Sequence, residues 1–94
     1  MKVPVRIPTV LQPRTGGAAV VLAEGDTVGR VVGSLVALHP GLREVMLESD
    51  GSVKRFLNLF LGDEDVRYLR GLDTPVPEGS EIVILPAASG GRRR

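Results

Sequence analysis

One stretch of this chain, Val28 to Leu38, carries apolar residues at helical spacing over a helix's length, while the segments around it repeat with a period of two. Val28, Val31, Val32, Leu35, Val36 and Leu38 fall on one broad stripe, with Arg30 and Ser34 outside it. A lone apolar stripe must be covered, and the apolar faces on offer belong to strands. An α+β architecture follows, a mixed sheet with one main helix laid across it. The 94 residues allow one small core with a radius of gyration of about 12 Å.

The strands are read from their alternation. Lys2 to Pro8 puts Val3, Val5 and Ile7 on one face and Lys2, Pro4 and Arg6 on the other. Pro4 and Pro8 cannot donate to a ladder, so one edge of this strand is expected to be only partly paired. Gln12 to Gly17 carries turn residues, and Ala18 to Ala23 resumes as a second strand, giving a hairpin with a long, loose loop. Thr27 or Asp26 is placed to cap the helix, and Gly29 and Gly33 would let it approach the sheet closely. His39-Pro40-Gly41 ends it, and a short second helix fits around Leu42, Val45, Met46 and Leu47.

Phe56 to Leu61 alternates again, with Leu57, Leu59 and Leu61 on one face and Phe56, Asn58 and Phe60 on the other. Phe56 and Phe60 therefore have two open placements, in the core or outward as a docking patch. Gly62 to Asp65 reads as a solvated turn rather than a carboxylate site, Val66 to Tyr68 as a brief pairing segment, and Glu81 to Leu85 as the closing strand. That last run is almost continuously apolar and β-branched, as a strand flanked on both sides would be. Residues 1–85 thus form the domain and residues 86–94 a flexible C-terminal tail.

Composition removes whole classes of function. The chain has no cysteine and one histidine, which excludes disulfides, thiolate metal sites, thiol nucleophiles and histidine clusters. Its longest apolar run, Ala18 to Ala23, is far short of a membrane span, and the N-terminus lacks a signal-like core, so a cytoplasmic protein with no membrane partner is expected. The formal charge of +1 depends on Arg92, Arg93 and Arg94; without them, nine basic residues face eleven acidic ones, a balance of −2. No nucleic-acid-binding face is indicated.

The hairpin, the helix start Gly25-Asp26-Thr27, the run RFLNLFLGDEDVR at 55–67 and the run PEGSEIVILPAASGG at 77–91 together resemble the ThiS/MoaD family of ubiquitin-like sulfur carriers, and within it the CysO type. The resemblance extends over the whole chain to Gly91. A Gly-Gly pair alone carries little; set just beyond a terminal EIVIL strand, it carries much more.

The resemblance implies a ubiquitin-like β-grasp fold and a carrier rather than an enzyme. It implies that the carboxylate of Gly91, with Gly90 beside it, is adenylated by a ThiF/MoeB-like activating enzyme using ATP and converted to a thiocarboxylate. The carrier itself would bind no cofactor and no metal. Three arginines follow Gly91, so the implied cleavage site is Gly91/Arg92 and the implied processing enzyme a JAMM-type metalloprotease; the arginines are equally open to being an addition. The sulfur would pass to a synthase such as a PLP-dependent cysteine synthase, in cysteine or related sulfur-metabolite biosynthesis. Glycine at the end suits a narrow enzyme channel because it has no Cβ. From Pro86 through Ala87, Ala88 and Ser89 to Gly91, an extended chain reaches roughly 20 Å, so these residues are read with Phe56 and Phe60 as the docking region. The residues leave open a molybdopterin-synthase small subunit, a ubiquitin-like modifier, or an adaptor using its basic tail.

Overall fold

The computed structural model describes residues 2–86. Five strands form one sheet: β1 (Lys2–Arg6), β2 (Val20–Glu24), β3 (Leu57–Leu61), β4 (Glu64–Asp65) and β5 (Ile82–Pro86), in the order β2-β1-β5-β3-β4. The main helix, α1 (Val28–Leu38), follows the β1–β2 hairpin, and a single-turn α2 (Arg43–Met46) leads away from it. This is the mixed sheet and crossing helix of a ubiquitin-like β-grasp fold, with a radius of gyration of 12.5 Å.

The closing strand is central, as its composition required. β5 runs parallel to β1 and antiparallel to β3, and pairs with β3 over five residues from Leu57↔Pro86 to Leu61↔Ile82. Its ladder extends one residue past Leu85, so Pro86 belongs to the sheet. β1 makes five register pairs with β2 but only two with β5, so its β5 edge is the partly paired one, in line with the two prolines.

Inner-facing residues of every long strand meet α1. Val3, Val5, Leu57, Leu59, Ile82 and Ile84 are at most 4% exposed, and they pack with Val28, Val31, Val32 and Leu35 of the helix. Thr27 caps α1: its side-chain oxygen accepts the Arg30 N–H at 3.2 Å, so of the two candidate caps Thr27 fills the place. Gly25, in the helix start Gly25-Asp26-Thr27, has a packing reason to be glycine. A Cβ there would lie 2.6 Å from the Val31 nitrogen and 2.8 Å from the Arg30 carbonyl carbon.

Four local expectations are corrected. The hairpin loop is organised, because Thr9–Thr15 forms a 3-10 helix that buries Leu11 and Thr15. The Thr15 hydroxyl donates to the Ala18 carbonyl at 2.9 Å, with the Gln12 carbonyl 3.1 Å away as the alternative acceptor. Leu38, at the end of the helical stripe, is 55% exposed, since the helix runs past the edge of the core there. Gly29 approaches the 3-10 turn at Leu72 rather than the sheet, its would-be Cβ 3.0 Å from the Leu72 carbonyl oxygen; at Gly33 a Cβ would meet nothing. Finally, the brief pairing lies at Glu64–Asp65, and Val66–Tyr68 is instead a 3-10 turn.

Candidate functional site

The face of the sheet turned away from α1 is built by the same alternation that builds the core. Register places Val20, Arg6, Val83, Phe60 and Asp65 in one row across all five strands. One step nearer the end of β5, Asn58 stands opposite Leu85. Phe60 is therefore outward and half-buried by its neighbours, which decides between its two placements. Phe56, just before β3, is 53% exposed, and Leu85 and Val20 are 44% and 46% exposed. Phe56 and Leu85 lie where β5 reaches Pro86 and the chain leaves the sheet, while Phe60 and Val20 lie in the row at Val83, toward the start of β5.

Charge enters this surface at Arg6, between Val20 and Val83, and borders it at Asp65. Arg6 Nε lies 3.0 Å from Glu81 Oε1, an exposed pair worth about 0–1 kcal/mol that ties β1 to β5 on the outer face. At the other margin, Asp65 caps the 3-10 turn by accepting the Arg67 N–H at 2.9 Å, and a second carboxylate oxygen meets Arg67 Nη2 at 2.9 Å. The Arg67 side-chain hydrogen bond holds the Asp65 carboxyl below the usual carboxylate range. Asp65 is thus a structural cap and not part of a wholly solvated turn, whereas Asp63 and Glu64 are exposed. One polar atom on this face has no partner among the described residues: the Asn58 carboxamide oxygen is buried without a donor, an arrangement that costs free energy until something supplies one.

The arrangement offers recognition rather than reaction. Among the described residues, no group of three or more His, Cys, Asp or Glu side chains is placed to hold a metal ion. No described helix is long and apolar enough to cross a membrane. Of the residues singled out from sequence, Phe56 and Pro86 come to the same end of the sheet, and Phe60 lies three register pairs away, opposite Val83. Ala87, Ala88, Ser89, Gly90, Gly91 and Arg92 lie outside the described residues. Sequence reasoning passed over Leu85 and Val20, exposed apolar residues of the outer face; both were visible as the off-phase members of their strands.

Known proteins share this frame. The family model described as the ThiS family matches residues 5–91. The sulfur carrier protein CysO of Mycobacterium tuberculosis H37Rv is 45% identical over 93 residues, covering 97% of this chain and all of that protein. The crystal structure of Mycobacterium tuberculosis CysO superposes with a TM-score of 0.83, covering 90% of this chain and 98% of the other. A chain of the Amycolatopsis orientalis BexX/CysO complex gives 0.85 at 38% identity, covering 95% and 99%.

Proposed function

The chain belongs to the ThiS family and is a sulfur carrier of the CysO type, and from that premise we propose that its reacting atom is the carboxyl carbon of Gly91, freed when Arg92, Arg93 and Arg94 are removed. One observation carries this reading: the family match runs from residue 5 through Gly91 and leaves only the three arginines beyond it. Family membership implies ThiF/MoeB-type activating enzymes and sulfur-accepting synthases as partners; in this reading a JAMM-type protease cuts between Gly91 and Arg92 beforehand.

The chemistry asks little of the carrier's side chains. The activating enzyme joins the Gly91 carboxylate to the α-phosphate of ATP and releases pyrophosphate. A sulfur donor then attacks the carboxyl carbon of the resulting mixed anhydride, the C–O bond to AMP breaks, and a –COS⁻ terminus remains. That thiocarboxylate delivers its sulfur to a synthase, a PLP-dependent cysteine synthase in the cysteine-forming route. No cysteine is needed on the carrier, and none is present.

The carrier's own contribution is to bring a thin chain end and a recognisable body together. β5 is held by β1 at Ile82 and Val83 and by β3 as far as Pro86, so the sheet sets the direction in which the chain leaves it. Leu85 and Phe56 flank that exit, Phe60 lies further back on the same face, and together they present apolar surface to the activating enzyme, while Ala87 to Gly91 enter its cleft. A peptide alone would lose all its freedom on binding, whereas a rigid body positioned beside the cleft reduces that cost. The existence of a BexX/CysO complex supports engagement of a carrier of this type by another folded protein.

A variant at the reacting position tests the reading. In a chain ending at residue 91, Gly91→Val adds a branched side chain at the carboxyl and restricts φ, and removes no side-chain contact because glycine has none. Its melting temperature should match that of the parent ending at Gly91, and thiocarboxylate formation, read by intact mass, should fall by about a hundredfold. Normal loading of the valine variant would contradict the assignment of Gly91.

A further inference from the structure

On the helix side of the sheet, a pocket of about 260 Å³ opens between the Ser52–Arg55 segment and the Val66–Leu72 segment. Its floor is Leu57 and Leu59, and Val53, Val66 and Leu72 form the walls. Lys54, Arg55 and Arg67 stand around it, and no carboxylate lines it. Arg67 is already neutralised by Asp65 at 2.9 Å. Lys54 and Arg55 form no ion pair or side-chain hydrogen bond among the described residues, whereas Arg6, Arg14 and Arg30 each face an acidic side chain. Two other concavities among the described residues do contain acids, Glu24 and Asp26 beside Arg30, and Glu44 and Glu48 beside Arg43. Of these three, the first joins an apolar floor to uncompensated positive charge.

Size and charge narrow the occupant. The volume is below the roughly 300–1,000 Å³ that encloses a whole cofactor-sized ligand, so it suits a single apolar side chain. The chain's own C-terminal segment is a poor occupant, because residues 87–91 offer no side chain larger than that of alanine or serine for the apolar floor, and Arg92 to Arg94, while present, would face Lys54 and Arg55. We propose that this pocket is a docking site for an acidic peptide segment of a partner protein, which seats one apolar side chain on Leu57 and Leu59 and sets a neighbouring carboxylate against Lys54 and Arg55. The pocket lies on the opposite side of the sheet from Phe60, so a protein held there leaves the outer face free. The inference does not depend on the chemistry at Gly91.

The experiment is an amide chemical-shift titration of the isotope-labelled full chain with a terminally blocked Gly-Asp-Leu-Glu-Gly peptide. The amides of Val53, Leu57 and Leu72 should shift and saturate with a dissociation constant on the order of 1 mM. Blocked Gly-Asn-Leu-Gln-Gly and Gly-Asp-Gly-Glu-Gly should each bind at least about fivefold more weakly, one lacking the charge and the other the apolar side chain. The double variants Lys54→Glu/Arg55→Glu and Lys54→Gln/Arg55→Gln should keep a dispersed spectrum and lose the response. No saturable shift at these amides up to about 10 mM peptide would overturn the proposal. So would equal binding of the uncharged peptide, or hexanoate binding as well as the peptide. Shifts at the same amides on raising protein concentration alone would assign the pocket to a second copy of the chain instead.

Discussion

The two faces of the sheet come from the same strands, yet one is closed and the other open. On the inner face, Val5, Ile82 and Leu61 share a row under α1, and Val5 and Ile82 are essentially without solvent contact. On the outer face, the row Val20, Arg6, Val83, Phe60 and Asp65 mixes apolar, aromatic and charged residues, with Leu85 and Phe56 exposed nearby. The inner residues are determined by packing alone. The outer ones have no folding duty of that kind, and in the proposed function the apolar residues there serve to dock another protein.

Substitutions on the two faces should separate these roles. The largest effect on the fold belongs to the inner face: Ile84→Ala leaves a cavity beneath α1 and should cost about 2–5 kcal/mol, read by chemical denaturation. Sulfur loading of the fraction still folded should be unchanged, because Ile84 does not reach the outer surface. A shift under about 1 kcal/mol would mean that the inner face is less tightly packed than its burial indicates.

Next comes the outer face. Phe60→Asp should stay within about 1 kcal/mol of the parent, since the ring is only half-buried. Activation by the cognate enzyme should nevertheless slow by about tenfold or more, the loss expected of a central aromatic contact. Unchanged activation in the folded variant would remove Phe60 from the docking surface, and collapse of the fold would place it with Ile84.

The smallest effect lies at the margin of the outer row. Because Arg67 lowers the Asp65 carboxyl in the folded state, the ion pair's contribution is fully present above the unfolded value near pH 3.9. It is lost as pH falls through the lower folded value. Asp65→Asn keeps a side-chain oxygen for the Arg67 N–H but removes the charge. Thermal melts between about pH 2 and pH 6 should show a shallower acid limb in the variant and nearly parallel curves above it. An equally steep limb would shift the acid sensitivity to other carboxylates.

How far the sequence could be read follows from which residues carry a period. Val28 to Val36 and the alternating runs at 2–7, 57–61 and 82–84 each bury one face, so helix, strands and the central place of β5 were legible. The 3-10 helix at Thr9–Thr15 was not, because its two buried residues, Leu11 and Thr15, sit among prolines and polar groups with no repeating spacing. Likewise the role of Gly25 depends on the backbone of Arg30 and Val31 folding back over it, a contact that composition does not encode. The site divides along the same line. Phe60's outward placement could be posed from alternation but decided only by the pairing with Val83 and Asp65. The pocket beneath Leu57 and Leu59 arises from two segments that come together only in the fold.

The central claim is that the body is recognised on its outer face and the chemistry occurs at a freed Gly91. Intact mass spectrometry of two chains, one ending at Gly91 and one at Arg94, after incubation with the cognate activating enzyme, ATP and a sulfur donor, tests it most directly. The account requires replacement of one oxygen by sulfur in the chain ending at Gly91 and none in the chain ending at Arg94, whose Gly91 carbonyl is an amide. Sulfur loading or an adenylate on Gly91 in the uncut chain, or no loading of the chain ending at Gly91, would contradict it.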